Sequence, residues 1–145
     1  MTEPEYPLIA IRFQVDWGGS FTNFAEVSGL NVETDIVEYR GGPEESLTTR
    51  KIPGLMKYSN VTLKRGIVPA GNDLFDWWTK NQRGERETRR VTIRLLDETG
   101  RKTVTWIMEG AWPVKVEGPC LNGTANDVVI ELLEFCHEGL TIQNG

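Results

Sequence analysis

Residues 89–110 read RRVTIRLLDETGRKTVTWIMEG, and this stretch decides the fold class. Apolar side chains alternate with polar ones on both sides of the polar segment Asp97–Gly100, a pattern typical of two half-buried strands. The glycine at the end of that segment is typical of a tight turn. The stretch therefore predicts an antiparallel hairpin. Its inward-facing residues are predicted to be Val91, Ile93, Leu95, Val104, Trp106 and Met108.

Short apolar runs separated by glycine or proline continue the β pattern outward from this hairpin. In IAIRFQVDW, alternate positions are apolar, which predicts a strand with Ile9, Ile11, Phe13, Val15 and Trp17 on one face. FAEVSGLNVETDIVEYR, residues 24–40, predicts one or two strands with a break or bulge at Gly29.

Three further runs complete the predicted elements. NVTLKRG predicts a strand with Val61 and Leu63 inward, and AWPVKVEGP predicts a short or edge strand because Pro113 disfavours a central position. NDVVIELLEFCHEGL fits both a helix and a strand, but its β-branched start favours a strand. That strand would carry Ile130 and Leu132 on one face and large apolar residues on the other, so a second cover is expected, either the helix or a neighbouring subunit.

One short segment, NDLFDWWTKNQ, predicts the single helix of the chain. Asn72 or Asp73 can cap it, Asp73 and Asp76 lie where the helix dipole favours acids, and four apolar residues recur at helical spacing. These four residues are Leu74, Phe75, Trp77 and Trp78. The fold class is therefore all-β, mainly β with one short helix, in a single domain spanning 1–145.

Composition narrows the possible functions. The chain has 145 residues, 39% hydrophobic and 26% charged, and no apolar run long enough to span a bilayer, so no stable membrane insertion is expected. No secretory signal is visible, which favours synthesis in the bacterial cytoplasm. The formal net charge of −5 disfavours a nucleic-acid-binding surface. Cys120 and Cys136 are expected to be reduced and structural.

Catalytic chemistry finds little support in the residue pattern. His137 is the single histidine, and its neighbour Cys136 would point to the opposite face of a strand. Neither a nucleophile motif, a metal-ligand spacing nor a phosphate-binding loop occurs. The sequence therefore predicts no catalytic residues, no metal site, no cofactor and no enzymatic activity.

Two other clusters carry alternative interpretations. RGERETRR holds four arginines that a nucleic-acid reader would use, but interleaved glutamates favour a solvated segment or one that forms salt bridges between subunits. The tryptophans of FDWW would suit a ligand-stacking platform, although core or interface packing is the favoured interpretation.

The polar, mixed-charge segment EYRGGPEESLTTRKIPG, Glu38–Gly54, is too long for an ordinary turn. On its residues alone it is equally a binding site, a lid over an active site, or an arm that reaches another subunit. With the surplus apolar strand surface, it points to assembly.

The chain resembles the tail-tube proteins of contractile phage tails and related contractile injection systems. Four collinear stretches carry the resemblance, which runs from about Phe13 to Leu140. They are FAEVSGLNVETDIVEYRGG, RKIPGLMKYSNVTLKRG, LFDWW and AWPVKVEGPCLNGTANDVVIELLEFCHEGL. The motifs LKRG and AWP…EGP are most similar to those of the injection particles, although the sequence does not separate these from phage tails.

The resemblance implies a small β-barrel or β-sandwich of the tail-tube type with one flanking helix, related to the ring-forming tube protein of type VI secretion. It implies hexameric rings stacked into a hollow tube, inside a phage tail or an injection particle that is extracellular or membrane-anchored. The implied partners are other copies of the chain, a contractile sheath protein, baseplate or spike proteins, tube-terminating proteins, and cargo protein or DNA in the lumen. No catalytic residues are implied.

The resemblance also suggests residues for each surface of the tube. Subunit contacts are expected in the region 41–58, at Gly41, Gly42, Pro43, Glu44, Glu45, Arg50, Lys51, Pro53, Gly54 and Tyr58. Lumen-facing candidates are Arg12, Gln14, Glu33 and Asp35. The competing hypothesis is a monomeric β-barrel module that binds a sugar or peptide with the Trp-rich helix and the 41–54 loop.

Overall fold

The computed structural model describes residues 12–18, 24–39, 49–67, 72–124 and 129–144. The predicted Ile9 and Ile11 lie outside these ranges. In chain order the elements are β1 (Arg12–Asp16), β2 (Glu26–Ser28), β3 (Val32–Tyr39), β4 (Arg50–Tyr58), β5 (Val61–Gly66), α1 (Asp73–Gln82), β6 (Arg89–Leu96), β7 (Lys102–Glu117), β8 (Ile130–Cys136) and β9 (Gly139–Asn144). The predicted fold class, mainly β with one short helix, is confirmed.

The predicted β6–β7 hairpin is present, with Ile93 opposite Trp106 and Val91 opposite Met108. Its turn is organised by the side chain of Asp97, which accepts hydrogen bonds from the Thr99 hydroxyl at 2.7 Å and from the Arg101 backbone N–H at 2.8 Å. These bonds stabilise the ionised carboxylate and lower the pKa of Asp97. Gly100 adopts a positive φ of 85°, as the turn requires.

Seven of the nine strands form one antiparallel sheet in the order β1-β6-β7-β8-β5-β2, with β9 also paired to β7. The first half of β7 lies between β6 and β9, and the second half pairs with β8. β8 and β9 are thus consecutive partners along a single strand. Gly110, with a φ of 65°, lies at the point where β7 passes from one partner to the next.

AWPVKVEGP does not form a separate short strand, because these residues continue β7 to Glu117. The alternative prediction, an edge position for Pro113, is confirmed, since this part of β7 pairs with β8 alone among the described strands. Pro113 lies opposite Phe135, beside a register irregularity between Pro113 and Lys115. β6 begins at Arg89, which pairs with Ala111, so the residues of β7 after Ala111 no longer have β6 as a neighbour. Proline is tolerated there because its missing N–H breaks no ladder on that side.

The core contains side chains from both halves of the sheet and from α1. Val15, Trp17, Val61, Leu63, Val91, Ile93, Met108, Leu133 and Phe135 are buried, and Phe13 and Trp106 pack against them. Full burial of each large apolar side chain stabilises the fold by about 1.5–3 kcal/mol. The inward faces predicted for β1 and β5 are confirmed in the residues that the structure describes, and so are Val91 and Ile93 of β6. The prediction is wrong for Leu95 and for its partner Val104, which are half-buried and lie outside the core, because a register irregularity follows Leu95 and Leu96 is buried instead.

The helix packs onto this core through Leu74 and Trp77, which are both 1% exposed. Phe75 and Trp78 point away from the core and stack on each other at 5.9 Å, so the four predicted residues do not share one face. Asn72 occupies the N-cap position, one of the two predicted, but its side chain makes no capping hydrogen bond to the helix. Asp73 binds Arg65 instead.

The last segment, whose sequence fits both a helix and a strand, forms the predicted strand β8. Leu133 and Phe135 point into the core together with the helix residues. Ile130 is 44% exposed, so the opposite face of β8 has only partial cover and the helix does not supply it.

Candidate assembly surface

The second sheet is a hairpin that pairs with no other described strand. β3 and β4 pair only with each other, with Val32 opposite Tyr58 and Tyr39 opposite Arg50. We call these two strands the arm. Both of its edges are therefore open along the described residues, and open strand edges are ready to pair with another chain.

The arm carries most of the exposed large apolar surface that the described residues offer. Seven of its side chains are between 45% and 77% exposed. They are Val32, Ile36, Val37, Tyr39, Ile52, Leu55 and Met56. A contiguous apolar surface of this kind on a soluble protein marks an interaction site.

Both faces of the arm carry exposed apolar residues. Directly paired residues share a face, which places Val32, Ile36 and Met56 on one side. Val37 and Ile52 are paired on the other side. A half-buried strand would show one apolar and one polar face. The arm is therefore built to be covered on both sides.

A register irregularity lies in the middle of the arm, between Thr34 and Ile36. Gly54 sits opposite it, and a Cβ there would lie 3.1 Å from both the Asp35 carbonyl oxygen and Val37 Cγ2. Lys57 pairs with Asp35 at 3.2 Å on the exposed surface. Such an exposed ion pair contributes at most about 1 kcal/mol to stability, so it is a minor term in the stability of the arm.

The base of the arm is fixed to the sheet. Gly29 has a φ of 90°, and a Cβ there would lie 2.1 Å from the Asn60 carbonyl oxygen, so the two connections at the base are in close contact. Ser59 N–H donates to the Asn31 carbonyl at 3.2 Å. The Tyr58 ring packs on the ring of His137 with centroids 5.3 Å apart.

His137 lies where β8 meets β9 and is 9% exposed. Its Nδ1 is 3.2 Å from the Gly139 carbonyl oxygen. Burial lowers the pKa of His137, and hydrogen bonds with backbone groups of Gly139 and Ser59 offset part of that effect. A neutral imidazole therefore supports the base of the arm at neutral pH.

Half of the predicted contact residues lie on β4. Arg50, Lys51 and Pro53 are exposed, Gly54 lies at the irregularity, and Tyr58 is at the base. The others, Gly41, Gly42, Pro43, Glu44 and Glu45, lie outside the described residues. The expectation of a continuous polar loop from Glu38 to Gly54 is wrong, because β3 runs to Tyr39 and β4 begins at Arg50.

Proline and glycine made residues 50–54 resemble a loop, yet Pro53 fits opposite Ile36 at the irregularity of an open-edged strand. The exposed apolar residues of the arm were not predicted as functional. Their available signal was the uninterrupted apolar pair Ile36–Val37, which breaks strict alternation and places apolar groups on both faces.

The four lumen candidates belong to two different sheets. Arg12 and Gln14 are exposed on β1, at the edge of the large sheet. Glu33 and Asp35 lie on β3, in the arm. Their common direction in an assembly stays a prediction.

A buried ion cluster connects the large sheet to the helix. The side chain of Arg65 is 1% exposed and contacts Asp73 at 2.5 Å and Glu131 at 2.6 Å. Burial alone would lower the pKa of Arg65 and raise that of Asp73, but the hydrogen bonds and opposite charges outweigh burial. The result is a raised pKa for Arg65 and a lowered pKa for Asp73, so both groups stay charged.

Two arginines of RGERETRR pair with glutamates of the same subunit. Arg89 lies between the rings of Trp17 and Trp77, at 5.2 and 4.8 Å from their centroids, and pairs with Glu87 at 3.1 Å. Arg90 pairs with Glu109 at 2.6 Å. Salt bridges between subunits stay a prediction, and the buried Trp77 packs in the core.

The thiols are both free, as expected, but their surroundings differ. Cys136 is half-buried, and its Sγ lies 3.8 Å from the Trp112 carbonyl oxygen. Burial raises the pKa of its thiol. Cys120 is exposed, so the prediction that both are structural is wrong for Cys120.

The described residues contain no cluster of three or more His, Cys, Asp or Glu side chains arranged to hold a metal ion. Nor does any helix among them combine the length and apolarity needed to cross a membrane.

Comparison with known proteins identifies the fold and the family. A chain of the sheath–tube complex of PVC, an extracellular contractile injection system, is 31% identical, with a TM-score of 0.87 over 97% of this chain and 94% of that chain. A chain of the anti-feeding prophage cap is 28% identical, with a TM-score of 0.90 over 100% and 96%. No curated protein sequence matches the chain.

More distant structures share the fold alone. Hcp1 from Flavobacterium johnsoniae is 11% identical, with a TM-score of 0.56 over 92% of this chain and 95% of that chain.

The family model described as T4-like virus tail tube protein gp19 matches residues 9–141. The chain therefore belongs to the T4-like virus tail tube protein gp19 family, whose members are structural tube proteins.

Proposed function

We propose that the whole chain, as one tube domain, forms the inner tube of a contractile phage tail-like injection particle by closing into hexameric rings that stack. The observation that carries this proposal is the arm. Seven large apolar side chains of β3 and β4 are exposed, and the large sheet does not cover them. The fitting occupant is another copy of the chain, since the family builds tubes.

The size of the apolar surface argues for a closed ring. Covering seven half-exposed to largely exposed side chains contributes about 5–10 kcal/mol, if each gains about half or more of its full transfer free energy. Bringing two proteins together costs about 4–15 kcal/mol. A single contact is therefore marginal. In a closed ring every subunit has two neighbours, so assembly becomes cooperative and depends on concentration.

The residues of the arm then contact neighbouring subunits within and between rings. Arg50, Lys51, Pro53, Gly54 and Tyr58 contribute from β4, and residues 41–45 contribute from the connection at its tip. Arg12, Gln14, Glu33 and Asp35 are proposed to line the lumen. The acidic balance of the chain, −5 per subunit, would keep DNA or acidic cargo from adhering to the lumen wall.

The proposed partners are a contractile sheath around the tube, a baseplate or spike at one end, a terminating protein at the other, and protein cargo or DNA inside. Related chains occur in a sheath–tube complex, a sheath/tube terminator and a baseplate of injection systems. Synthesis is proposed in the bacterial cytoplasm, followed by assembly into the particle. The role is structural and requires no catalysis.

A matched pair of variants tests the arm. Leu55 and Leu121 are 77% and 79% exposed, but only Leu55 belongs to the arm. We expect Leu55→Asp to abolish rings and rods in negative-stain microscopy and to elute as a monomer in size-exclusion chromatography. Leu121→Asp should assemble like the parent chain. Equal assembly by both variants would contradict the role of the arm, and a parent chain that stays monomeric at high concentration would favour the binding-module alternative.

A further inference from the structure

The connection that follows β7 contains an Asn–Gly pair, Asn122–Gly123, in an exposed turn. The side-chain oxygen of Asn122, Oδ1, accepts two hydrogen bonds from Thr124. The backbone N–H donates at 3.1 Å and the hydroxyl donates at 2.8 Å. The residues of this turn belong neither to the buried core nor to the arm.

Gly123 leaves the backbone next to Asn122 unusually accessible. A glycine lacks the Cβ that would hinder approach to its nitrogen. Among the described residues other than its two chain neighbours, none has a heavy atom within 4 Å of a Cβ built at this position, and Gly123 does not adopt a positive φ. The space around the Asn122–Gly123 bond is therefore open enough for a five-membered ring to form.

We propose that Asn122 is a self-modification site, at which the asparagine converts to aspartate and isoaspartate through a cyclic imide. The Gly123 backbone nitrogen gives its proton to water and forms a bond to Asn122 Cγ. The Cγ–Nδ2 bond then breaks, and the amide nitrogen leaves as ammonia after taking up a proton. One water molecule opens the ring at either carbonyl carbon. The net reaction consumes one water and releases one ammonia, without oxidation or reduction.

Thr124 accelerates the ring-forming step. Attack on Cγ places negative charge on Asn122 Oδ1, the same oxygen that already accepts two hydrogen bonds. Donors about 2.7–3.1 Å from a developing oxyanion stabilise the transition state. The distances of 3.1 and 2.8 Å from the Thr124 donors fall in this range. Thr124 therefore acts as a positioning residue with two donors.

The conversion changes the surface and the backbone of one connection. It adds one negative charge to the formal −5 of the chain. The isoaspartate form also adds one backbone atom between β7 and β8. Because the turn is exposed and distant in sequence from the arm, the change is expected to accumulate without unfolding the subunit.

The chain supplies its own comparison for the test, because it contains a second Asn–Gly pair at Asn144. The backbone of Asn144 pairs with Val104 in the sheet. Purified folded protein is incubated at mildly alkaline pH. Peptide mass spectrometry and isoaspartyl methyltransferase labelling then locate the product. We expect isoaspartate at 122 to form ahead of 144, and the two sites to react alike in concentrated urea.

Two variants separate the parts of the proposal. Gly123→Ala keeps Asn122 and fits the open space, so it should fold normally and lose isoaspartate at 122. Thr124→Val removes the hydroxyl donor but keeps the backbone donor, so the product should form more slowly. Unmodified Asn122 in the folded parent chain, or unchanged modification in Gly123→Ala, would overturn the site. An unchanged or faster reaction in Thr124→Val would overturn the role of the hydroxyl.

Discussion

At the scale of single residues, the most consequential side chain is Arg65. It is a buried cation held between Asp73 of the helix and Glu131 of β8, so it joins three elements through charge-assisted bonds. The Phe24 ring lies 5.6 Å from its guanidinium carbon. Removing one member of such a cluster leaves the others buried without compensation.

We expect Arg65→Met to lower the free energy of unfolding by about 3–5 kcal/mol, because two carboxylates then face each other with their cation removed. The control is Asp76→Asn, which removes an exposed acid of the same helix turn and should change stability by less than about 0.5 kcal/mol. Urea denaturation of both variants measures the difference. A loss below about 1 kcal/mol in Arg65→Met would contradict the importance of the cluster.

His137 predicts how stability depends on pH. Burial lowers its pKa below the ordinary value of 6.5, so the folded state binds fewer protons than the unfolded state just below that pH. The stabilising effect of the neutral ring is complete above about pH 6.5 and is lost as the pH falls through the lower folded pKa.

The variant His137→Phe keeps a ring against Tyr58 but cannot titrate. We expect the urea midpoint of the parent chain to fall between about pH 6.5 and pH 5, and that of the variant to change less over the same window. Parallel curves for the two proteins would show that His137 titrates equally in the folded and unfolded states.

At the scale of elements, Gly29 determines how the arm leaves the sheet. Gly29 and Gly100 have nearly the same φ, 90° and 85°, but only Gly29 is in contact with backbone, at Asn60. We expect Gly100→Ala to destabilise by about 1 kcal/mol from the positive φ alone. Gly29→Ala should destabilise by more than that, because Asn60 must shift.

Thermal unfolding of the two alanine variants provides the measurement. The contact at the base of the arm is the only difference expected between them. Equal shifts in Tm would mean that Asn60 moves away from the new side chain without loss of stability. That result would contradict the close packing of residues 29–31 against 59–60.

The elements differ in how far the sequence predicts them. The β6–β7 hairpin was predictable because alternation and turn chemistry agree around Asp97–Gly100. The length of β7 was not, since Gly110 and Pro113 normally interrupt strands. In the fold, Gly110 lies where β7 changes partners and Pro113 lies where one partner has ended. Both exceptions depend on neighbours that are distant in sequence.

The arm shows the same limit for the site. Alternation in VETDIVEY predicts a strand, but it does not tell whether the apolar residues are covered by the same chain. β8 was the expected strand with surplus apolar surface because both of its faces carry large apolar residues. In the structure its core face is covered, and Ile36, Leu55 and Met56 of the arm are left exposed.

At the scale of the whole molecule, the chain combines a closed body with an open arm. The body has a buried core shared by the large sheet and the helix. Along the described residues, the arm has two open edges and exposed apolar residues on both faces, which suits cover by neighbouring subunits. A tube made of such units gains its stability at the same surfaces that give the free subunit a tendency to associate.

Hydrogen exchange of the free and assembled chain tests this account most directly. Peptides covering β3 and β4, residues 32–39 and 50–58, should exchange fast in the monomer and become strongly protected in the tube. The β6–β7 hairpin, already buried in the monomer, serves as the internal reference and should change little. Assembled particles in which the arm exchanges as fast as in the monomer would contradict the central claim that neighbouring copies cover it.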